Sequence, residues 1–209
     1  MDPGVQLVSL QMLLVISAFI IAVTIHECAH AAVAYLLGDP TAKNAGRLTL
    51  NPLAHVDPLG LLFLIFVQIG WAAPVPIDER NFRYPRLFSV LTGLAGPASN
   101  FLLAITSLYC LHYGVPHLPT NSQQDAAAFF KAFASINTML GVFNAIPLPP
   151  LDGSHIIRAL TPRSLLPLYY TISRFSFFIL IALLAFPQSY QLLVYAIEST
   201  YEFFECLVV

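Results

Sequence analysis

The chain has 209 residues, 57% hydrophobic and only 10% charged, where a typical soluble domain carries about 25% charged residues. Its apolar residues fall in long runs, which excludes a soluble globular domain and predicts a polytopic membrane protein. With 9 basic and 11 acidic residues there is no positive surplus to meet phosphates, so nucleic acid is excluded as a partner.

The first run, from Leu7 to Leu37, reads as one long helix. Met1, Asp2, Pro3 and Gly4 lack the basic segment that opens a cleavable signal, so this helix is expected to be retained. Unbroken, it measures about 46 Å against a hydrocarbon core of about 30 Å, and must tilt or project. Inside it stands His26-Glu27-Cys28-Ala29-His30, the pattern H-E-x-x-H. At 100° per residue His30 lies about 40° around the axis from His26, with Glu27 about 60° beyond His30, so all three share a face. Ionisable groups are expensive at membrane depth and mark a functional site there. This spacing suits a zinc ion held by both imidazoles, with the carboxylate left to take a proton from a water the metal polarises. Cys28, Cys110 and Cys206 are far apart, odd in number and without C-x-x-C spacing, which argues against a disulfide framework and a cysteine metal cage.

Gly38, Asp39 and Pro40 end the first helix. Arg47-Leu48-Thr49-Leu50 alternates like a short strand and leads into the turn-forming Asn51-Pro52 and Asp57-Pro58-Leu59-Gly60. Leu61 to Ala73 is apolar but short for a span, and Pro74 and Pro76 close it. A basic segment with Arg80, Arg83 and Arg86 precedes a helix from Leu87 to about Leu111, in which Gly93, Gly96, Pro97 and Asn100 allow close helix approach. The connector from His112 to Gln124 has no lysine or arginine. The next helix runs from about Asp125 to Ala145 and breaks at Pro147, Pro149 and Pro150, just ahead of Asp152-Gly153. An apolar run from Leu165 to Phe186 follows, then a segment from Tyr190 to Val209 whose Glu198, Glu202 and Glu205 line one face, so that it either spans or lies at the interface. The expected fold is an all-α polytopic bundle of about four to six membrane segments, a single domain over residues 1–209, with a re-entrant and strand-like element between the first two long helices.

Lysine and arginine cluster at 43–47, 80–86 and 158–163, which the positive-inside rule places on the cytoplasmic side. The segment 59–77 is then expected to enter and return on one face. A catalytic zinc site has three protein ligands and an open position, so the histidines need a third partner. Asp152 is the best candidate, because it follows a helix pointing the same way as the first. His26, about 28 Å along its helix from Leu7, also lies near the cytoplasmic end. His55 and His155 are rivals on the same side, while His112 and His117 fall in the opposite connector.

With H-E-x-x-H at 26–30 and Asn144-Ala145-Ile146-Pro147-Leu148-Pro149-Pro150-Leu151-Asp152-Gly153, the chain resembles the site-2 protease family of intramembrane zinc metalloproteases, in its compact prokaryotic form without a PDZ domain. Gly46 to Gly60 and Gly93 to Asn100 look like the same family, and the resemblance covers roughly residues 10–160. It implies one Zn2+ per chain held by His26, His30 and Asp152, Glu27 as general base and acid, and Asn144 holding substrate or the developing oxyanion. It further implies membrane-protein substrates cut in or near their transmembrane segments, a lipid-bilayer setting, and a multi-pass protein of a prokaryotic plasma membrane with its site toward the cytoplasm. Arg47 to Leu50 reads either as a plain connector or as an edge that could pair with an unwound substrate by strand addition. A membrane metal transporter is the competing class, although transporters usually bind at the midplane between repeated halves, and this chain shows neither.

Overall fold

Helix α1 runs from Pro3 to Leu36 with no proline after its first residue, and its end is fixed by a glycine. Gly38 adopts φ +105°, its N–H bonds the Tyr35 carbonyl at 3.1 Å and the Asp39 N–H reaches the Ala34 carbonyl at 2.9 Å, a Schellman termination. The computed structural model describes residues 3–67 and 70–209, with side chains for 12–63 and 70–209. The further helices are α2 (Thr41–Asn44), α3 (Pro58–Val67), α4 (Pro85–Tyr109), α5 (Thr120–Ala145), α6 (Ser154–Leu160), α7 (Leu166–Ala185) and α8 (Pro187–Val208).

Among the described residues, four stretches are long and apolar enough to cross a membrane, Met12–Leu36, Pro85–His117, Thr120–Ala145 and Arg163–Ala185, at the lower end of the expected four to six. The 10 residues of α3 reach about 15 Å, half of a hydrocarbon core. Helix α5 starts ahead of the expected Asp125, because the polar and mostly exposed residues from Thr120 to Gln124 continue the helix beyond its apolar part.

Helices α1, α4 and α5 form the centre of the bundle. On α1 and α4, His26 meets Asn100 while His30 meets Thr92, so the two run antiparallel. On α4 and α5, Asn100 meets Asn137 while Ser107 donates to the Phe130 carbonyl at 2.7 Å, again antiparallel. Hence α1 and α5 point the same way, and their C-terminal ends lie on one side. Small residues make the contacts close: Ala18 and Ala22 pack on Phe133, and Ala104 and Ala134 pack with Leu108 and Phe204 of α8.

The segment between α2 and α4 returns to the side it leaves. Val56 and Ala72 form an antiparallel bridge, the Ala73 N–H donates to the His55 carbonyl at 2.7 Å, and the Arg47 guanidinium donates to the Pro74 carbonyl at 3.1 Å. Residues 68–69 of the expected re-entrant segment lie outside the described residues. Arg47 to Leu50 is not a strand. Its polar groups are spent inside the loop, since the Arg47 side chain also bonds the Ala54 carbonyl and the Thr49 carbonyl accepts from His55 Nε2 at 2.9 Å. The only β-bridge among the described residues is the one between Val56 and Ala72.

Asp39 ties this segment to α1. Its buried carboxylate accepts the N–H groups of Thr41 at 3.0 Å and Asp78 at 2.8 Å and the Asn81 amide at 2.8 Å. Burial alone would push the Asp39 carboxyl up, but the donors from Thr41, Asn81 and Asp78 outweigh it and hold the group below its ordinary value. The connections 38–47 and 78–83 therefore share a face. Single cysteines at Lys43 and Arg83 in a cysteine-free chain are expected to react with an impermeant thiol reagent from the same side of a sealed vesicle. Labelling from opposite sides would make 59–77 a full crossing and contradict this topology.

Candidate metal centre

One turn of α1 carries His26 and His30 to a single spot facing α4. Both are buried, at 6% and 5% exposure, as is the intervening Glu27 at 8%. Asp152 arrives from the turn after α5, where the Gly153 N–H bonds the Asn144 carbonyl at 2.7 Å and folds the chain back on the helix end. A Cβ at Gly153 would overlap the Ala145 carbonyl, so only glycine permits that return.

Three donor atoms converge there. His26 Nε2 lies 3.0 Å from His30 Nε2, and Asp152 Oδ2 lies 3.1 Å from the first and 3.3 Å from the second. A tetrahedral zinc site with bonds of about 2.0–2.1 Å sets its donors about 3.3 Å apart. Asp152 Oδ2 is buried and lacks a hydrogen-bond partner, as expected of an atom whose partner is a cation. The donor set fits a zinc ion, and among the described residues it is the only such cluster of His, Cys, Asp and Glu.

The other ring nitrogens are occupied. His26 Nδ1 donates to Asn100 Oδ1 at 2.5 Å and His30 Nδ1 to the Thr92 carbonyl at 2.7 Å. Such bonds fix ring orientation and leave Nε2 of each ring facing the other donors. Helix α4 approaches this closely because of Gly96, where a Cβ would overlap Nε2 of both histidines. Glu27 turns away from the donor triangle, and its Oε2 accepts the Val75 N–H at 3.0 Å. In Pro74-Val75-Pro76 that is the single backbone donor, since proline has no N–H.

A cavity of about 170 Å³ opens beside the donors, lined by Glu27, His30, Asp152, His155, Gly93, Pro150 and the 74–77 segment. His155 shares in this wall, with Nδ1 at 2.8 Å from Ser89 Oγ, which in turn donates to Glu79 at 2.7 Å. Arg158 pairs with the same Glu79. Burial and the Arg158 guanidinium push the His155 imidazole below its ordinary value, so it is neutral near pH 7.

None of the rival histidines joins the donor cluster, although His155 borders its cavity. His55 lies in the loop on the Thr49 carbonyl, and His112 faces Glu205 at 3.4 Å. Asn144 is absent from the cavity wall, its amide donating to the Leu140 carbonyl at 3.0 Å. Sequence reasoning missed Thr92, Asn100 and Val75 as partners of the motif. For Asn100 a signal existed, a polar amide in the middle of an apolar helix. The other two act through their backbones, which leaves no residue-type signature.

A helical membrane protein with a buried two-histidine, one-aspartate donor set beside a glutamate is built as an intramembrane metalloprotease. The profile of Peptidase family M50 matches residues 114–186, a stretch that holds Asn144 to Gly153 but not the histidine pair. Over 147 residues the chain is 46% identical to "Putative zinc metalloprotease YwhC" of Bacillus subtilis, covering 68% of this chain and 67% of that protein. It is also 32% identical over 149 residues to "Putative zinc metalloprotease Rip2" of Mycolicibacterium smegmatis (68% of this chain, 54% of that one) and 29% identical over 162 residues to its namesake in Mycobacterium tuberculosis (74% and 61%). The chain thus spans about two thirds of the first relative and less of the mycobacterial pair. No solved structure matches. The chain belongs to Peptidase family M50, the site-2 protease family, as its paired motifs suggested.

Gly96 supplies a prediction. Gly96→Ala puts a methyl group where the two Nε2 atoms meet, so bound zinc is expected to weaken by about 100-fold, the upper end of what disturbing a ligand's support costs. Helix content by circular dichroism should stay at the native level. Unchanged zinc affinity would contradict the convergence of both imidazoles against α4.

Proposed function

We propose that this protein is an endopeptidase that cuts other membrane proteins in or near their transmembrane segments, using one Zn2+ per chain held by His26, His30 and Asp152. The observation that carries this reading is the meeting of three donor atoms within 3.3 Å, from a helix and a turn more than 120 positions apart, with Glu27 alongside. Zinc bound there supplies a Lewis acid for the scissile carbonyl and lowers the pKa of water toward about 7.

The remaining chemistry belongs to the chain. Glu27 is the general base and acid: with Oε2 held by the Val75 N–H, Oε1 takes the proton of the attacking water and passes it to the leaving amine. A substrate helix has its backbone groups already paired, so it must unwind before it is cut beside the wall formed by His155, Pro150 and the 74–77 segment. A role for Asn144 in holding substrate or the oxyanion requires its amide to leave the Leu140 carbonyl on substrate binding. Irregular backbone at 146–150 is tolerated at membrane depth only beside protein or water, which supports a wet entrance. Lys43, Arg47, Arg80, Arg83, Arg158 and Arg163 all belong to connections at the donor end of the bundle. Under the positive-inside rule this sets the site toward the cytoplasm of a prokaryotic plasma membrane, within a single protease domain over 1–209.

Purified in detergent and incubated with single-span membrane proteins, the native chain is expected to cut. Glu27→Gln should lower the rate by at least about 100-fold while keeping about one zinc per chain, because this carboxylate is not a ligand. Asp152→Ala and His26→Ala should lose the metal. Proteolysis by Glu27→Gln at the native rate would sink the mechanism, and metal transport without cutting would favour a transporter.

A further inference from the structure

Two asparagines outside the two motifs that supply the donor atoms are completely buried in the central helices: Asn100 on α4 and Asn137 on α5. A side-chain amide is costly in an apolar interior unless both its ends are bonded, and here every end has a partner. His26 Nδ1 meets Asn100 Oδ1 at 2.5 Å, Asn100 Nδ2 donates to Asn137 Oδ1 at 2.8 Å, and Asn137 Nδ2 donates to the Phe133 carbonyl at 2.9 Å. The relay joins α1, α4 and α5 at the level of the donor triangle.

Its polarity is set from the far end. The nitrogen and oxygen of an amide are assigned from their network, and this network starts at a backbone carbonyl, which can only accept. The Phe133 carbonyl therefore requires the NH2 of Asn137, turning Asn137 Oδ1 toward Asn100. That oxygen requires the NH2 of Asn100, turning Asn100 Oδ1 toward His26. An acceptor at this place requires the His26 proton on Nδ1, and a neutral imidazole then carries its lone pair on Nε2, facing His30 Nε2 and Asp152 Oδ2. His30 needs no relay, because its Nδ1 meets the Thr92 carbonyl directly at 2.7 Å.

We propose that Asn100 and Asn137 are positioning residues that set the tautomer of His26 through this relay and thereby tune metal affinity. The inference rests on the assignment of His26, His30 and Asp152 as ligands. A helix carbonyl of α5, the helix that delivers Asp152, thus decides through two amides which atom His26 Nδ1 meets on α4.

The test is zinc affinity of the full chain in detergent, read by competition with a chelator of known strength, with circular dichroism as a check on folding. Asn100→Leu removes the acceptor at similar size and is expected to weaken zinc binding by about 10- to 100-fold. Asn100→Asp keeps an acceptor for His26 and should stay within a few-fold of native. Asn137→Leu, which frees the Asn100 amide to reverse, should fall between. Equal affinity in Asn100→Leu and native protein, or equal loss in Asn100→Leu and Asn100→Asp, would overturn the relay. A second measurement needs no variant: nitrogen-15 spectra of labelled imidazoles in the zinc-stripped native chain should show the His26 proton on Nδ1, and a proton on Nε2 would overturn the proposal. A native chain that binds no zinc in the same titration would instead defeat the ligand assignment, and the relay with it.

Discussion

Two imidazole nitrogens and a carboxylate oxygen sit 3.0 to 3.3 Å apart, with their lone pairs turned toward one another inside an apolar bundle. Without a cation such a cluster repels itself, and burial makes the repulsion worse because little solvent screens it. Much of the central bundle can be understood as what keeps these atoms together. Both Nδ1 atoms are committed to acceptors on α4, which denies the rings the rotation that would relieve the crowding. The turn after α5 is closed by the Gly153 N–H on the Asn144 carbonyl, so Asp152 cannot swing away. A divalent ion converts that opposition into attraction, and the folded chain is ready for it.

Helix α4 is the back plate of the site. Gly96 lets it touch the imidazoles, Thr92 and Asn100 provide the acceptors, and Gly93 makes room for His155. Opposite α4, the 74–77 segment supplies the front wall and holds Glu27 through the Val75 N–H. That segment is itself pinned by Arg47 on the Pro74 carbonyl and by Asp39 on the Asp78 N–H. The loop after α1 thereby shapes a cavity whose chemistry comes from inside the helix. Glu27 and the three donor atoms are held by different parts of the chain, so the carboxylate can be disturbed without scattering the donors.

How much of this was legible from residues alone depends on the range of the interaction. His26 and His30 share a face by helix geometry, and four of the long helices follow from apolar runs bounded by Gly38, the basic segment at 80–86 and the prolines after Ala145. The pairing of Asp152 with the histidines follows from helix direction. The expected strand at Arg47 to Leu50 failed because alternation says nothing about partners, and there the Arg47 guanidinium and the Thr49 carbonyl turn to the loop's own groups. Helix α6 went unseen behind the prolines and Gly153 that precede it. Asn137 looked like one polar residue in a long helix, and its meaning appears only when Asn100 of another helix lies beside it.

The ligand set can be observed directly. X-ray absorption at the zinc edge of the loaded native chain should show two imidazole nitrogens and oxygen scatterers at about 2.0–2.2 Å and no sulfur. A sulfur at about 2.3 Å, pointing to Cys28, or a third imidazole in place of the carboxylate, would contradict the convergence of His26, His30 and Asp152 on one ion.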